Sequence, residues 1–592
     1  MPETNASGPE DDLNLLRAHE PVVRFTKGEY FYPVSVSGYA QHSALWTELP
    51  SGESVVEAAP ETFDLPLLGR MDEIVASSGQ SLSGIMTGQK MSRAHIPRKD
   101  RPPRLSGASR LAAVGLLGRL VDALNRLSLV FRGSVPGGSA AHSYLLQQEH
   151  LEPDRPTYYG RVVRAGGWIV CQYWFFYSFN NWRSAFGGVN EHESDWEQVT
   201  IYLDGTGELD GAGLPAPRWV VFSAHDETGD DLRRRWDDPD LTVVDDRHPV
   251  VFAGAGSHSG AYVPGDYLIS VEPPTLGGFI RFGRWLARVF TPWSTGAQSV
   301  GIPYIDYARG DGRSIGPGQP DQWYPELIDD ETGWVRRYRG LWGHDTRDRL
   351  GGERGPAGPR YERDGTVRAS WSGPVAWAGL AKVPPNPSVA SELLAARDEQ
   401  LHERLVALAA EISATTQSLQ ISAAGRNPGS PQVRSLADEE RRLLELRAEE
   451  VQLLDEQDSL EQNAQAALLD PHAHLTHRNM PMQQVTSGRA RLLSWWAVLS
   501  TPLILWTIAQ IVDPTLGVSA TATALGGLVV LVSIEGFVRG KFLAVMGRFL
   551  LIILGLVVAS FIWTDWRIVL GAGLSAAAIV ILFVNLREAL RR

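Results

Sequence analysis

Cysteine is nearly absent from this 592-residue chain: Cys171 stands alone. An intrachain disulfide and a cysteine-built zinc site are thereby excluded, and the apolar run around Cys171 marks it as a core thiol. Lysine is scarce too, with Lys27, Lys90, Lys99, Lys382 and Lys541 making up the set, so basic charge is carried almost wholly by arginine. Together with abundant alanine and glycine, this points to a GC-rich bacterial genome. A general excess of positive charge is also missing. The formal net charge of -13 argues against nucleic acid as a partner, because phosphate binding needs a basic surface. No apolar signal peptide is visible in the polar, acidic run Met1 to Asp12, and the large domain is expected to stay in the cytoplasm.

What the chain does have begins at Glu191-His192-Glu193-Ser194-Asp195-Trp196-Glu197, which leads into the β-prone run Gln198 to Leu203. Read as a strand, its period of two puts Asp195, Glu197, Val199, Ile201 and Leu203 on one face. Two carboxylates about 7 Å apart at the mouth of an apolar face repel each other unless a cation or hydrogen-bond donors stand between them. A divalent metal, an arginine or a solvated rim would each answer. His225 and His258 follow comparable β-like runs, so His192, His225 and His258 converge on one end if those strands are neighbours.

The entry Ala18 to Phe25, the strand Gln172 to Tyr177 and the His192-x-x-Asp195-Trp196-Glu197 core resemble the fungal vacuolar protein sorting-associated family numbered sixty-two and its bacterial relatives. Trp342-Gly343, Gly355 to Pro359 and Trp371-Ser372-Gly373-Pro374 fit the tail of that family, and the resemblance spans roughly residues 12 to 380. The same core is remotely similar to the Gly-His-Arg-His-Asp-Trp-Glu heptapeptide of necrosis-inducing cytolysins, metal-binding β-sandwiches that act on membrane sphingolipids. That likeness implies metal-site roles for His192, Asp195 and Glu197, with His225 and His258 as weaker matches. It also departs from the pattern: Asn180-Asn181 replaces an Asp after the aromatic strand, making Asn181 a neutral site residue, and Ser194 replaces the second His.

The expected architecture is an antiparallel β-sandwich with helical insertions, then a helical hairpin, then four transmembrane helices. Residues 1–10 read as a tail and 11–385 as the sandwich, with insertions near 66–135 and 275–300. Strand-like runs at 160–177, 195–203, 217–223, 248–253 and 266–271 are separated by turn-rich loops, as in a sandwich. Residues 302–382, rich in Gly, Pro and Trp, are expected to wrap it irregularly. Two basic amphipathic segments, 111–131 and 279–290, suit either packing on the sandwich or a lipid interface, and Arg281, Arg284, Trp285 and Arg288 are the candidate lipid contacts of the second. In 386–470, heptad rows through Leu394, Leu401 and Leu408 and through Leu446, Leu453 and Leu460 flank the breaker Gly425 to Pro431, which predicts an antiparallel hairpin, with parallel dimerisation as the rival.

A basic linker, 471–490, precedes apolar runs at about 492–511, 517–537, 542–563 and 566–586. Each matches the 30 Å hydrocarbon core of a bilayer at about 1.5 Å per residue. Arg489, Arg491, Arg539, Lys541, Arg587, Arg591 and Arg592 place both termini in the cytoplasm of a bacterial inner membrane. Glu535 and Arg548 lie close enough to the boundary to snorkel, and so few intramembrane polar groups suit an anchor or oligomerisation unit better than a transporter.

The site is then expected to bind a lipid headgroup or protein, with a divalent cation as candidate cofactor. Oxygen-rich ligation favours Ca²⁺ or Mg²⁺. The competing account of the same residues is a hydrogen-bond network tying a strand end to loops. Two other function classes stay open: a metal-dependent hydrolase on a lipid or glycan, which needs Asp195, Glu197 and two of the histidines around one point, and a membrane-perturbing effector. Self-association through the hairpin or the membrane helices is a further expected contact.

Overall fold

The computed structural model describes residues 8–49, 53–62, 64–70, 79–84, 138–181, 191–223, 229–271, 302–345, 355–386, 390–423, 433–459, 487–512, 517–564 and 566–589, with most of 110–123 and 472–482 and a few isolated positions. The chain divides into two compact units. One comprises Met1–Gly107, Phe131–Ile269 and Tyr304–Gln483, and the other Ala108–Val130, Ser270–Pro303 and Gln484–Arg592.

The first unit is built on a six-stranded sheet whose order is Tyr324–Leu327, Thr157–Ala165, Trp168–Asn180, His192–Asp204, Pro217–Phe222, Arg234–Arg235. Its two longest strands, Trp168–Asn180 and His192–Asp204, show almost no exposed position. Strands that read as unbroken aromatic and β-branched runs are those covered on both faces. Here Cys171, Tyr173, Phe175, Tyr177, Val199, Ile201 and Phe222 share one cluster with Val23, Phe25, Val251 and Ala253 of a second sheet. On the opposite face Trp174, Phe176 and Trp196 pack with Leu45, Leu82 and Trp342 of a third sheet. Farther along that face, Trp168, Val170, Tyr202 and Trp219 meet Val375, Ala378 and Leu380. Each large apolar side chain buried in this way contributes about 1.5–3 kcal/mol.

The expected antiparallel sandwich gives way to mixed sheets. Val22–Phe25 runs parallel to His248–Ala253, Tyr324–Leu327 parallel to Thr157–Ala165, and Leu341–Trp342 parallel to Gln80–Ser83. The segment 302–382 is therefore more regular than its Gly and Pro content predicts: three of its short strands complete sheets begun far upstream. Gln80–Ser83, inside the expected insertion, pairs with Ala44–Glu48. The run 160–177 is two strands, because Ala165 pairs with Trp168 across Gly166-Gly167. Both glycines have positive φ, 58° and 80°, as a two-residue hairpin turn demands.

Helices Ala390–Ala423 and Val433–Ser459 lie antiparallel: Arg404 meets Glu449, and Ser418 meets Glu439. Leu401, Leu408 and Leu446 are buried between them. The second unit holds the helices Ser487–Val512, Gly517–Val538, Phe542–Thr564 and Trp566–Ala589. Two helices, over Arg491–Gln510 and Phe542–Ser560, are long and apolar enough to cross a membrane by length and composition. The expected interfacial residues Arg281, Arg284, Trp285 and Arg288 lie outside the described residues, as do the expected second insertion and the chain breaker 424–432.

Candidate functional site

Period-two alternation does place Asp195 and Glu197 on the face of Val199, Ile201 and Leu203, but not at an open mouth. Asp195 is 3% exposed and Glu197 6%. A carboxylate so buried needs company, and the two find different kinds. The Glu197 Oε2 accepts a hydrogen bond from the Ser223 hydroxyl at 2.6 Å. Asp195 accepts from the Asn180 amide at 3.0 Å and from the Trp196 backbone N–H at 3.1 Å, and its Oδ2 lies 3.0 Å from His258 Nδ1.

His258 reaches Asp195 through a tight loop. The His258 N–H donates to the Gly254 carbonyl and the Gly254 N–H to the Ser259 carbonyl, while the hydroxyls of Ser257 and Ser259 both donate to Asp306 Oδ2. Gly254 permits this closeness, since a Cβ there would stand 2.2 Å from the Asp306 carboxylate. His258 itself has φ of 58°, an uncommon conformation for a residue with a side chain, and such strain persists only where the surroundings fix it. The surroundings here are the Tyr177 ring, stacked on the imidazole at 3.8 Å and 5°, and two carboxylates.

The second carboxylate is Glu29. Its Oε1 lies 3.9 Å from His258 Nε2, a charge contact rather than a hydrogen bond. The same oxygen accepts the backbone N–H groups of Tyr30 and Phe31, and Oε2 accepts that of Gly256 at 2.7 Å. Burial alone would raise the Glu29 carboxyl, yet His258 and these N–H donors outweigh it and hold it below its ordinary value. Burial would likewise lower His258, but the Asp195 hydrogen bond and the neighbouring charge of Glu29 raise it to about 9. At neutral pH the site is thus an imidazolium clamped between two carboxylates. Burial first, then the charges of Glu197, Asp195 and Glu29, push the Tyr177 phenol well up, so the stacked ring is neutral.

Of the expected site residues, the fold brings Asp195 and His258 into contact, with Glu197 on the same strand face as Asp195. His192 Nδ1 faces the Ser194 carbonyl of its own strand at 2.7 Å. Ser194 adopts φ of 58°, and the alternation fails there: Glu193 does not share the Asp195 face but turns to the third sheet, accepting from the Ser83 hydroxyl and the N–H groups of Gly84 and His344. Asn181 and Glu191 are half-buried at the strand ends, where burial pushes the Glu191 carboxyl up to about 7. His225 lies outside the described residues. Trp196 packs on the far face among Tyr159, Phe176, Trp334 and Trp342.

Glu29 and Tyr177 escaped sequence reasoning. Glu29 sits in the turn Lys27-Gly28-Glu29, far from any motif, and only the positive-φ Gly28 marks a sharp bend there.

Among the described residues, the metal-ligating side chains whose donor atoms gather within 4.8 Å are a different set, Asp238, Asp240 and His472. His472 Nε2 lies 2.9 Å from Asp238 and 3.4 Å from Asp240. Arg478 forms a bidentate pair with Asp240 at 2.6 and 2.8 Å, and Arg234 Nε stands 3.8 Å from Asp238. Hydrogen bonds from Arg478 hold the Asp240 carboxyl below its ordinary value. Arginines thus already balance these acids. The group fastens the segment before the apolar helices to the sheet unit, aided by His474, whose Nε2 lies 2.9 Å from the Arg233 carbonyl.

No family model, curated protein or solved structure matches this chain.

Proposed function

We propose that this chain is a membrane-anchored binding protein. The four C-terminal helices cross a bacterial inner membrane with both termini in the cytoplasm, and the sheet unit recognises a lipid headgroup or a protein at the rim formed by Asn181 and Glu191. The carrying observation is that both nitrogens of His258 face carboxylates, Asp195 Oδ2 at 3.0 Å and Glu29 Oε1 at 3.9 Å. A general base needs a free nitrogen facing the group it deprotonates. Here that direction is taken by Glu29, which favours binding over the hydrolase reading. The imidazolium also supplies the positive charge that Asp195 requires, so a divalent ion becomes the competing occupant rather than a necessity.

The resemblance to the sorting-associated family and the apolar C-terminal helices support the anchored arrangement, which in turn disfavours a secreted, membrane-perturbing effector. Protease protection of a tag placed near residue 480 in sealed membrane vesicles tests the topology; a lumenal or periplasmic tag overturns it. Calorimetry of the full chain in nanodiscs, with glycerol phosphate, phosphoethanolamine and phosphocholine as headgroup probes, tests recognition. Saturable binding weakened at least five-fold by Asn181→Ala supports the lipid reading. Absence of binding to all three, with a protein crosslinked from position 181 in cells, moves the ligand class to protein. Saturable heat from Ca²⁺, Mg²⁺, Mn²⁺ or Zn²⁺ that Asp195→Asn abolishes would restore the metal.

A further inference from the structure

Glu535 does not snorkel. It lies near the end of the helix Gly517–Val538 and is 1% exposed. Its Oε2 accepts from Arg119 Nη2 and from the Trp496 indole, and its Oε1 accepts from Arg539 Nε. Arg119 is fully buried, and it stands 416 residues earlier in the chain.

The contact extends beyond one ion pair. Arg119 Nη1 donates to the carbonyls of Leu111 and Val114 at 3.1 and 3.3 Å. Arg539 Nη2 donates to those of Ala112 and Val114 at 2.9 and 2.6 Å. The short helix Arg110–Ala113 ends here, and its last carbonyls have no partner within the helix. Two guanidinium groups therefore do twofold duty, neutralising Glu535 and capping that turn. Beside them Leu116 packs in one apolar cluster with Ile504 and Leu531, flanked by Leu120, Trp496 and Leu528.

We infer that residues 110–123 are an element of the membrane unit, seated on the helices Ser487–Val512 and Gly517–Val538 by the Arg119–Glu535 pair. This takes the membrane reading above as its setting, but the docking itself is a separate claim. A carboxylate among apolar helices is tolerated when a cation shares the site, and a buried guanidinium has the same need, so neither side chain is stable there alone. Arg539, four residues on and just past the end of that helix, could neutralise Glu535 unaided. The presence of Arg119 is explained by what it brings with it, the apolar face of Leu116 and Leu120. The partner of this segment within its unit is thus the chain's own apolar helices rather than lipid phosphate.

Oxidative crosslinking in native membranes of the full chain carrying Leu116→Cys and Leu531→Cys tests the docking; Cys171 is buried and serves as the unreactive background. The inference expects a prominent intrachain crosslink. It expects a loss of at least five-fold on adding Arg119→Ala or Glu535→Gln, and recovery with Arg119→Lys, which keeps the charge. Equal crosslinking in all variants, or none in the parent, overturns it. Carbonate extraction of the same samples separates the two claims. Release of a chain that still crosslinks refutes the membrane anchor and leaves the docking, whereas a retained chain without the crosslink does the reverse.

Discussion

The two units solve one problem in two ways. Each buries a carboxylate that its apolar setting penalises, and each supplies a cation from a distant part of the chain. In the sheet unit the cation is the imidazolium of His258, between Asp195 and Glu29. Among the apolar helices it is a pair of guanidinium groups, Arg119 and Arg539, on Glu535. A guanidinium keeps its charge at any pH a protein meets, while an imidazole does not. The helix cluster is therefore a fixed lock, and the sheet cluster is one that alkali opens.

The harshest way to break the contrast is to remove the titrating cation. His258→Ala removes the cation that lies between Asp195 and Glu29, and taking one partner from such a buried pair costs on the order of 3–5 kcal/mol. Chemical unfolding of the full chain, followed by tryptophan fluorescence, should show that loss in the sheet unit. An unchanged midpoint would show that the carboxylates never needed the imidazole.

A gentler test uses pH. His258 is raised from 6.5 to about 9 in the folded chain. Its stabilisation is thus complete below pH 6.5 and disappears as pH climbs through 9, a change on the order of 3 kcal/mol at about 1.4 kcal/mol per unit. Unfolding of the sheet unit should become easier across that window, while the Leu116–Leu531 crosslink stays constant. A crosslink that weakens in step with the sheet unit would erase the difference between the two locks.

These predictions rest on features that the sequence exposed unevenly. The long strands were legible because continuous aromatic and β-branched runs have few other uses, and the two helices long and apolar enough to cross a membrane because their apolar runs have fewer still. Asp195 and Glu197 could be placed on one face by period alone. What stood opposite them could not. His258 arrives through a left-handed turn in a strand pair remote in sequence, and Glu29 through a bend 166 residues before Asp195, so no local pattern joins them. Strict alternation presumes an uninterrupted strand, and the positive φ of Ser194 sends Glu193 to the third sheet instead of the Asp195 face. Parallel pairing was hidden for a similar reason: Val22–Phe25 and His248–Ala253 meet across more than two hundred residues. Arg119 read as one charge on an amphipathic stretch, since nothing near it announces Glu535.

The smallest effect sharpens the comparison within one strand. Glu197 shares the Asp195 face and accepts a hydrogen bond from a hydroxyl, that of Ser223. Glu197→Gln keeps a hydrogen-bonding oxygen there and should cost about 1 kcal/mol or less. Asp195→Asn, which deprives His258 of its closer anion, should cost several times more by the same unfolding assay. Equal costs would mean that the face, not the ion pair, sets the stability.

The state of one imidazole decides the account. With histidine labelled by ¹³C and ¹⁵N in the full chain, and His258→Asn used to assign the signal, NMR should find the His258 ring protonated at pH 7.5 and titrating near 9. A neutral ring at pH 7.5, titrating below 6.5, would contradict the imidazolium clamp and return the question of what neutralises Asp195 to the metal.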